Sequence, residues 1–196
     1  MYYTKLPSIV LLLLLAGCST SPSNLKPNAN EDSASISDTE ISLYRQAITD
    51  LSNSDLDKAE ANFLKMSRAK PNLSGPWANL ALIYIKQQQY EKADNAIKTA
   101  LEKNPNMPQA LNLAGVMAKR EGRITEAQAF YEQAILNKPD YAIAHYNLAL
   151  LFDIHLQDIA KALVHYQRYQ LLTDDTDKNT AMWIKELTFN LENNDS

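Results

Sequence analysis

The strongest constraint on this chain is an interval. Prolines at positions 71, 105 and 139 stand 34 residues apart, inside the related segments AKPN, KNPN and NKPD. Ala47, Ala81, Gly115 and Ala149 recur at the same step, as do Ala59, Ala93 and Ala127, with Ala162 one residue late. Phe63, Ile97, Tyr131 and Tyr166 follow this second set at a constant offset of four. A period of this length marks a stack of like units, none of which can bury its apolar face alone. An offset of four puts a small and a large residue on one helical face. Each unit therefore reads as two helices whose backbones approach at Ala or Gly while bulky side chains fill the space beside them. The proline stops the second helix and sets the path into the next unit. Only four glycines occur in 196 residues, which disfavours turn-rich β architecture and phosphate-cradling loops.

The pattern resembles the tetratricopeptide repeat (TPR): W-x2-L-G-x2-Y, then A-x3-F, then P. The best copy reads Trp77, Leu80, Ala81, Tyr84, Ala93, Ile97, Ala100 and Pro105; the third reads Leu111, Ala114, Gly115, Ala127, Tyr131, Ala134 and Pro139. The first copy, from about Glu40, is weakest at its front, where Leu43, Gln46 and Ala47 stand in place of Trp, Leu and Gly. The fourth begins near Ala142, with His145, Leu148, Ala149 and Phe152. The resemblance implies an all-α solenoid of four helix-turn-helix repeats, about 40–73, 74–107, 108–141 and 142–176. A capping helix at about 177–191 completes a TPR domain spanning 39–193.

Local signals refine this picture. Ser54 and Asp57 suggest a capping box for the first helix B, and Gly122 suits the end of the third helix A. The fourth copy holds one extra residue within DIHLQDIA (153–160), expected to lengthen or distort its inter-helix turn. In the last helix, Trp183, Ile184, Leu187 and Leu191 form one stripe. Met182 and Phe189 fall roughly opposite, toward solvent. They are either a contact patch for a partner or second copy, or ordinary exposed apolar residues.

Family members usually bind extended peptides or helices on the concave face lined by helices A. Carried over by helical position, that face comprises Tyr44, Ile48, Ala78, Leu82, Ile85, Asn112, Val116, Tyr146 and Leu150, with Lys86, Lys119 and Arg120 along its margin. Such a groove suits a partner segment with apolar anchors and an acidic residue or free C-terminus. Two readings of the margin stand, because helix dipoles alone favour cations at C-terminal ends and the apolar positions also suit repeat core. The carboxylate clamp of certain family members is not carried over, since Ala78 and Leu82 occupy two of its positions.

The front of the chain is different. Residues 1–17 combine a short n-region with Lys5, an apolar run of about ten residues and the pair Ala16-Gly17. The run is too short to span a membrane and suits a removable signal peptide. Leu15-Ala16-Gly17-Cys18 resembles a bacterial lipobox, which implies lipid attachment through the Cys18 thiol; this is the chain's one cysteine. Ser19 then implies the outer membrane by family precedent. Residues 18–38, rich in Ser, Asn, Pro and Asp, read as a lipidated disordered linker with a reach of about 25 Å.

Without residues 1–17 the balance is 18 cations to 23 anions, which argues against nucleic acid and against electrostatic adhesion to anionic lipid. Membrane association is expected through the lipid alone, and no cofactor or metal is expected. His145, His155 and His165 are ten residues apart and form no zinc motif. A break near 154–158 is expected to separate them further, His145 is expected to pack in its repeat's aromatic slot, and no nucleophile constellation points to catalysis. The TPR lipoproteins that this chain resembles include pilotins and organisers of peptidoglycan enzymes. The sequence therefore reads as a lipid-anchored periplasmic interaction scaffold, with a self-associating structural lipoprotein or an accessory enzyme subunit as alternatives.

Overall fold

The structure is a computed structural model that describes residues 36–194, apart from Asp175. Cys18, the signal segment and the linker to residue 35 lie outside the described residues. Ten elements follow in order: α1 Asp38–Ser52, α2 Leu56–Ala69, α3 Ser74–Lys86, α4 Tyr90–Lys103, α5 Pro108–Arg120, α6 Ile124–Asn137, α7 Ala142–Leu150, a π-helical turn Leu151–Leu156, α8 Ile159–Leu172 and α9 Lys178–Asn194. The described residues contain no strand. Successive helices form four hairpins, α1–α2 through α7–α8, and α9 packs on α8. This is the expected TPR solenoid.

Helix α1 begins inside the segment read as linker. Ser37 and Glu40 make a reciprocal capping box, with Ser37 N donating to Glu40 Oε2 at 2.8 Å and Glu40 N donating to Ser37 Oγ at 3.3 Å. Two orphan donors are thereby satisfied, which fixes the start at Asp38. The capping box expected at Ser54 and Asp57 is absent. Ser54 instead takes φ 63° in the turn, and Asp55 precedes α2 without a side-chain cap.

That left-handed residue itself repeats. Ser54, Gln88 and Gly122, at φ 63°, 60° and 77°, stand 34 residues apart, and Gln157 at φ 54° comes 35 later. Each reverses the chain between helices A and B. Left-handed backbone costs an ordinary residue about 1 kcal/mol, so only Gly122 meets the requirement without that cost. The extra residue of the fourth copy is absorbed one step earlier, by widening the end of its helix A into the π-helical turn.

The core follows the period. Ala47, Ala81, Ala149, Ala59, Ala93, Ala127 and Ala162 are fully buried, as are Phe63, Tyr131 and Tyr166. Gly115 marks the closest approach: a Cβ there would sit 2.5 Å from the Tyr131 ring. The histidines correct the sequence reading. The fourth hairpin folds α8 back on α7 and brings His145 Nδ1 to 3.0 Å from His165 Nδ1. The break that was expected to part them is the reversal that joins them.

Candidate functional site

Helices A touch one another along the array: α3 meets α5 and α5 meets α7, in closer contact than successive helices B make. The stack therefore curves with helices A on its inner side. Polar side chains bridge them there. Asn79 Nδ2 donates to Tyr44 Oη at 2.9 Å, Gln109 Nε2 donates to Asn79 Oδ1 at 3.2 Å, and Asn147 Nδ2 donates to Asn112 Oδ1 at 2.9 Å. These bonds join four helices A into one surface and satisfy amides that burial would otherwise penalise. Asn79, Gln109 and Asn147 were not singled out from the sequence. Their signal was the repeat itself, since Asn79 and Asn147 stand two periods apart.

The expected groove residues divide by depth. Ala78, Ile85, Asn112, Tyr146 and Leu150 are buried and present almost no surface to a partner. Ala78 packs with Ala100 and Ala110 between repeats, and Tyr146 lies under the rings of Tyr169 and Trp183. Tyr44, Ile48, Leu82 and Val116 are half-buried and pack against the core with part of their surface open. Met182 and Phe189 are 66% and 65% exposed.

The margin divides as well. The Arg120 guanidinium lies 3.4 Å above the Tyr90 ring of α4, a contact that binds it to its own scaffold. Lys86 and Lys119 are half-buried and make no ion pair among the described residues, and burial lowers the pKa of both. Burial also lowers the pKa of His155, and the Lys119 charge adds to that lowering. Neither α3 nor α5 carries a carboxylate. The α3 and α5 part of the inner side is thus cationic in a chain of net charge −4.

Elsewhere the ionisable groups serve packing. A carbonyl only accepts, so the His145 Nε2 contact to Pro139 O at 3.1 Å puts that ring's proton on Nε2. His145 Nδ1 then accepts from His165 Nδ1–H. Phe152 stacks on His165 at 5.8 Å, and burial, followed by His145, pushes the His165 pKa down to about 4. Asp153 accepts from Tyr166 Oη at 3.2 Å. Among the described residues, no group of three His, Cys, Asp or Glu side chains could hold a metal ion, and no helix is long and apolar enough to cross a membrane.

Comparison with known proteins settles the family. The sequence model of the tetratricopeptide repeat matches residues 79–135 and 118–177. The chain belongs to the tetratricopeptide repeat family. It is 31% identical over 86 residues to the photosystem I assembly protein Ycf3 of Synechococcus sp. (strain CC9605), covering 42% of this chain and 50% of that one. It spans half or less of the length of the curated relatives it matches. The Pseudomonas aeruginosa pilF structure aligns with a TM-score of 0.68 at 17% identity, over 79% of this chain and 69% of that one. The first TPR of Spaghetti (RPAP3), bound to the HSP90 peptide SRMEEVD, aligns with a TM-score of 0.54 at 16% identity, over 61% and 93%. At these identities the structural likeness establishes the fold.

Proposed function

We propose that this TPR protein is a binding scaffold that assembles an envelope complex and takes a partner segment along the face of its helices A. One observation carries the reading: α3 and α5 present half-open Leu82 and Val116 beside Lys86 and Lys119, which make no ion pair among the described residues, with no carboxylate on either helix. Apolar anchors need such openings, and acidic residues of a partner supply the missing counter-charge. The Ycf3 relative is named as an assembly protein, and the RPAP3 neighbour holds a peptide ending in Glu-Glu-Val-Asp. Both support recognition rather than catalysis as the activity.

The anchor completes the proposal. Cys18, in its lipobox-like setting, carries the lipid that holds the protein on the periplasmic face of the outer membrane. The segment up to Ile36 is the tether, and the anchor raises the effective concentration of the groove near envelope partners. Pilus secretins and peptidoglycan machinery are the assemblies such a scaffold would serve. A photoreactive residue at Leu82 or Val116, activated in cells and followed by mass spectrometry, should capture one envelope protein in a Cys18-dependent manner. Capture of only cytosolic proteins, unchanged by Cys18→Ala, overturns the anchored reading. Capture of nothing from either site overturns the groove.

A further inference from the structure

The period that fills the array leaves one junction underfilled. At one position of helix A, α3 has Leu80 and α7 has Leu148, 0% and 1% exposed, where α5 has Ala114 at 8%. At one position of helix B, α2, α6 and α8 carry the fully buried rings of Phe63, Tyr131 and Tyr166, where α4 carries Ile97 at 5%. The two smaller residues meet. A cleft of about 440 Å³ opens between α4 and α6, with Ala114 and Met117 of α5 beneath it and Ile97, Leu101 and Phe130 in its walls. It lies between two helices B, on the outer side of the stack. Apolar walls without partner atoms forgo contact energy, and an apolar group that enters recovers it.

The rim is charged and unevenly satisfied. On the α6 edge, Arg123 is held by Glu121 at 2.8 Å and by Glu126. On the α4 edge, Asp94, Lys98 and Glu102 are exposed and make no ion pair among the described residues. Burial, then the Glu121 charge, raises the Asp94 pKa against Arg123 and Arg120. With two carboxylates to one ammonium, the α4 edge favours an incoming cation. The chain itself carries a matching group. Between residues 18 and 35, Leu25 is the one bulky apolar residue and Lys26 the one cation. Pro27 confines Lys26 to extended or polyproline backbone; in the latter, successive side chains turn by about 120°, so Leu25 can enter the cleft while Lys26 reaches its edge. The span suffices. Helix α1 starts beside the end of α2, since Glu40 Oε2 lies 3.6 Å from Lys70 Nζ, and the cleft reaches Glu102, next to the last residue of α4. Helix α2 packs on α3 and α3 on α4, which puts the two ends at most about 20 Å apart. The eleven residues from Leu25 to Ile36 span up to about 36 Å.

We propose that residues 24–27 fold back onto the outer side of the solenoid, with Leu25 seated in the cleft where Ala114 leaves a leucine missing and Lys26 at the Asp94–Glu102 edge. The loop this closes is short, and its entropic cost is modest. Combined with the Cys18 anchor proposed above, on which this consequence alone rests, seven residues separate the lipid from the docked leucine, at most about 25 Å. The outer side is then held toward the membrane, and helices A face away from it, open to a partner.

The test places a benzophenone residue at Leu25 of the purified full chain, irradiated at low concentration and mapped by mass spectrometry. The crosslink should fall within one chain, on the walls and floor of the cleft. Ala114→Leu fills the cleft with the residue of the other repeats and should lower the yield at least tenfold, with a circular-dichroism melt that does not fall. Asp94→Lys with Glu102→Lys changes only the exposed rim and should lower the yield severalfold; adding Lys26→Glu should restore it. The same crosslink should form in Cys18→Ala, because docking needs no lipid, so failure of the anchor removes the orientation toward the membrane and leaves the docking standing. Crosslinks scattered over the surface, or confined to the inner face of helices A, overturn the proposal. So does a yield unchanged by both Ala114→Leu and the rim variant. A crosslink between two copies assigns the cleft to a second molecule and overturns it as well.

Discussion

In the third hairpin, Leu111 of α5 and Phe130 of α6 pack in one apolar cluster; the same two positions of the fourth hairpin hold His145 and His165, ring to ring. The tyrosines differ in parallel. Tyr131 is fully buried with its hydroxyl unpartnered, whereas Tyr166, one repeat later, donates to Asp153. Asp153 sits in the π-helical turn that only the fourth repeat contains. The third hairpin is closed by fit and the fourth by polar pairing, although both keep the period. A repeat scaffold specifies where small and large residues stand; it leaves open whether the faces between them are greasy or hydrogen-bonded.

The largest effect should come from spoiling the fit. Gly115→Ala drives a methyl to 2.5 Å from the Tyr131 ring, and overpacking of that kind should cost about 3 kcal/mol. Chemical denaturation of the full chain reads this as a shifted midpoint; a shift under a third of that size would show that the third hairpin yields.

Acid should find the fourth hairpin next. Burial and His145 hold the His165 pKa down at about 4, against an ordinary 6.5, and burial lowers His145 as well. The folded state therefore prefers neutral rings, while the unfolded chain takes up protons below 6.5. The stability they contribute is complete above that value and is lost as pH falls toward 4, by about 2 kcal/mol. The charges that bear on the pair are Arg168, which opposes protonation of His145, and Glu132, which favours protonation of His165. His145→Leu with His165→Phe copies the third hairpin and should flatten the melting temperature between pH 6.5 and 4 relative to the unaltered chain. Identical pH profiles would refute the assignment.

The smallest effects separate the tyrosines. Asp153→Ala orphans the buried Tyr166 hydroxyl and should cost about 1 kcal/mol. Tyr131→Phe removes a hydroxyl that has no partner and should leave the midpoint within about 0.5 kcal/mol, or raise it.

The period was legible because it is written in size. Alanine, glycine and proline at fixed steps admit few arrangements other than stacked hairpins, and the structure contains those hairpins. Depth along helices A was not legible: buried and half-open positions share one helical pattern, so Ala78 and Leu82 look alike until burial separates them. Asn79 and Asn147 were missed because an asparagine in a helix carries no mark of a bond to the next helix. Ser54 misled for a related reason, since a hydroxyl before a helix reads as a cap unless its φ is known.

The sequence by itself determined the all-helical repeat and put the lone Cys18 in a lipobox-like setting, because local periodicity and residue volume act over short stretches of chain. Tertiary structure alone decided that His145 meets His165 and that Lys86 and Lys119 make no ion pair among the described residues. These depend on which surfaces the stacking brings together, and distances across hairpins are fixed only once the small residues have let the helices close.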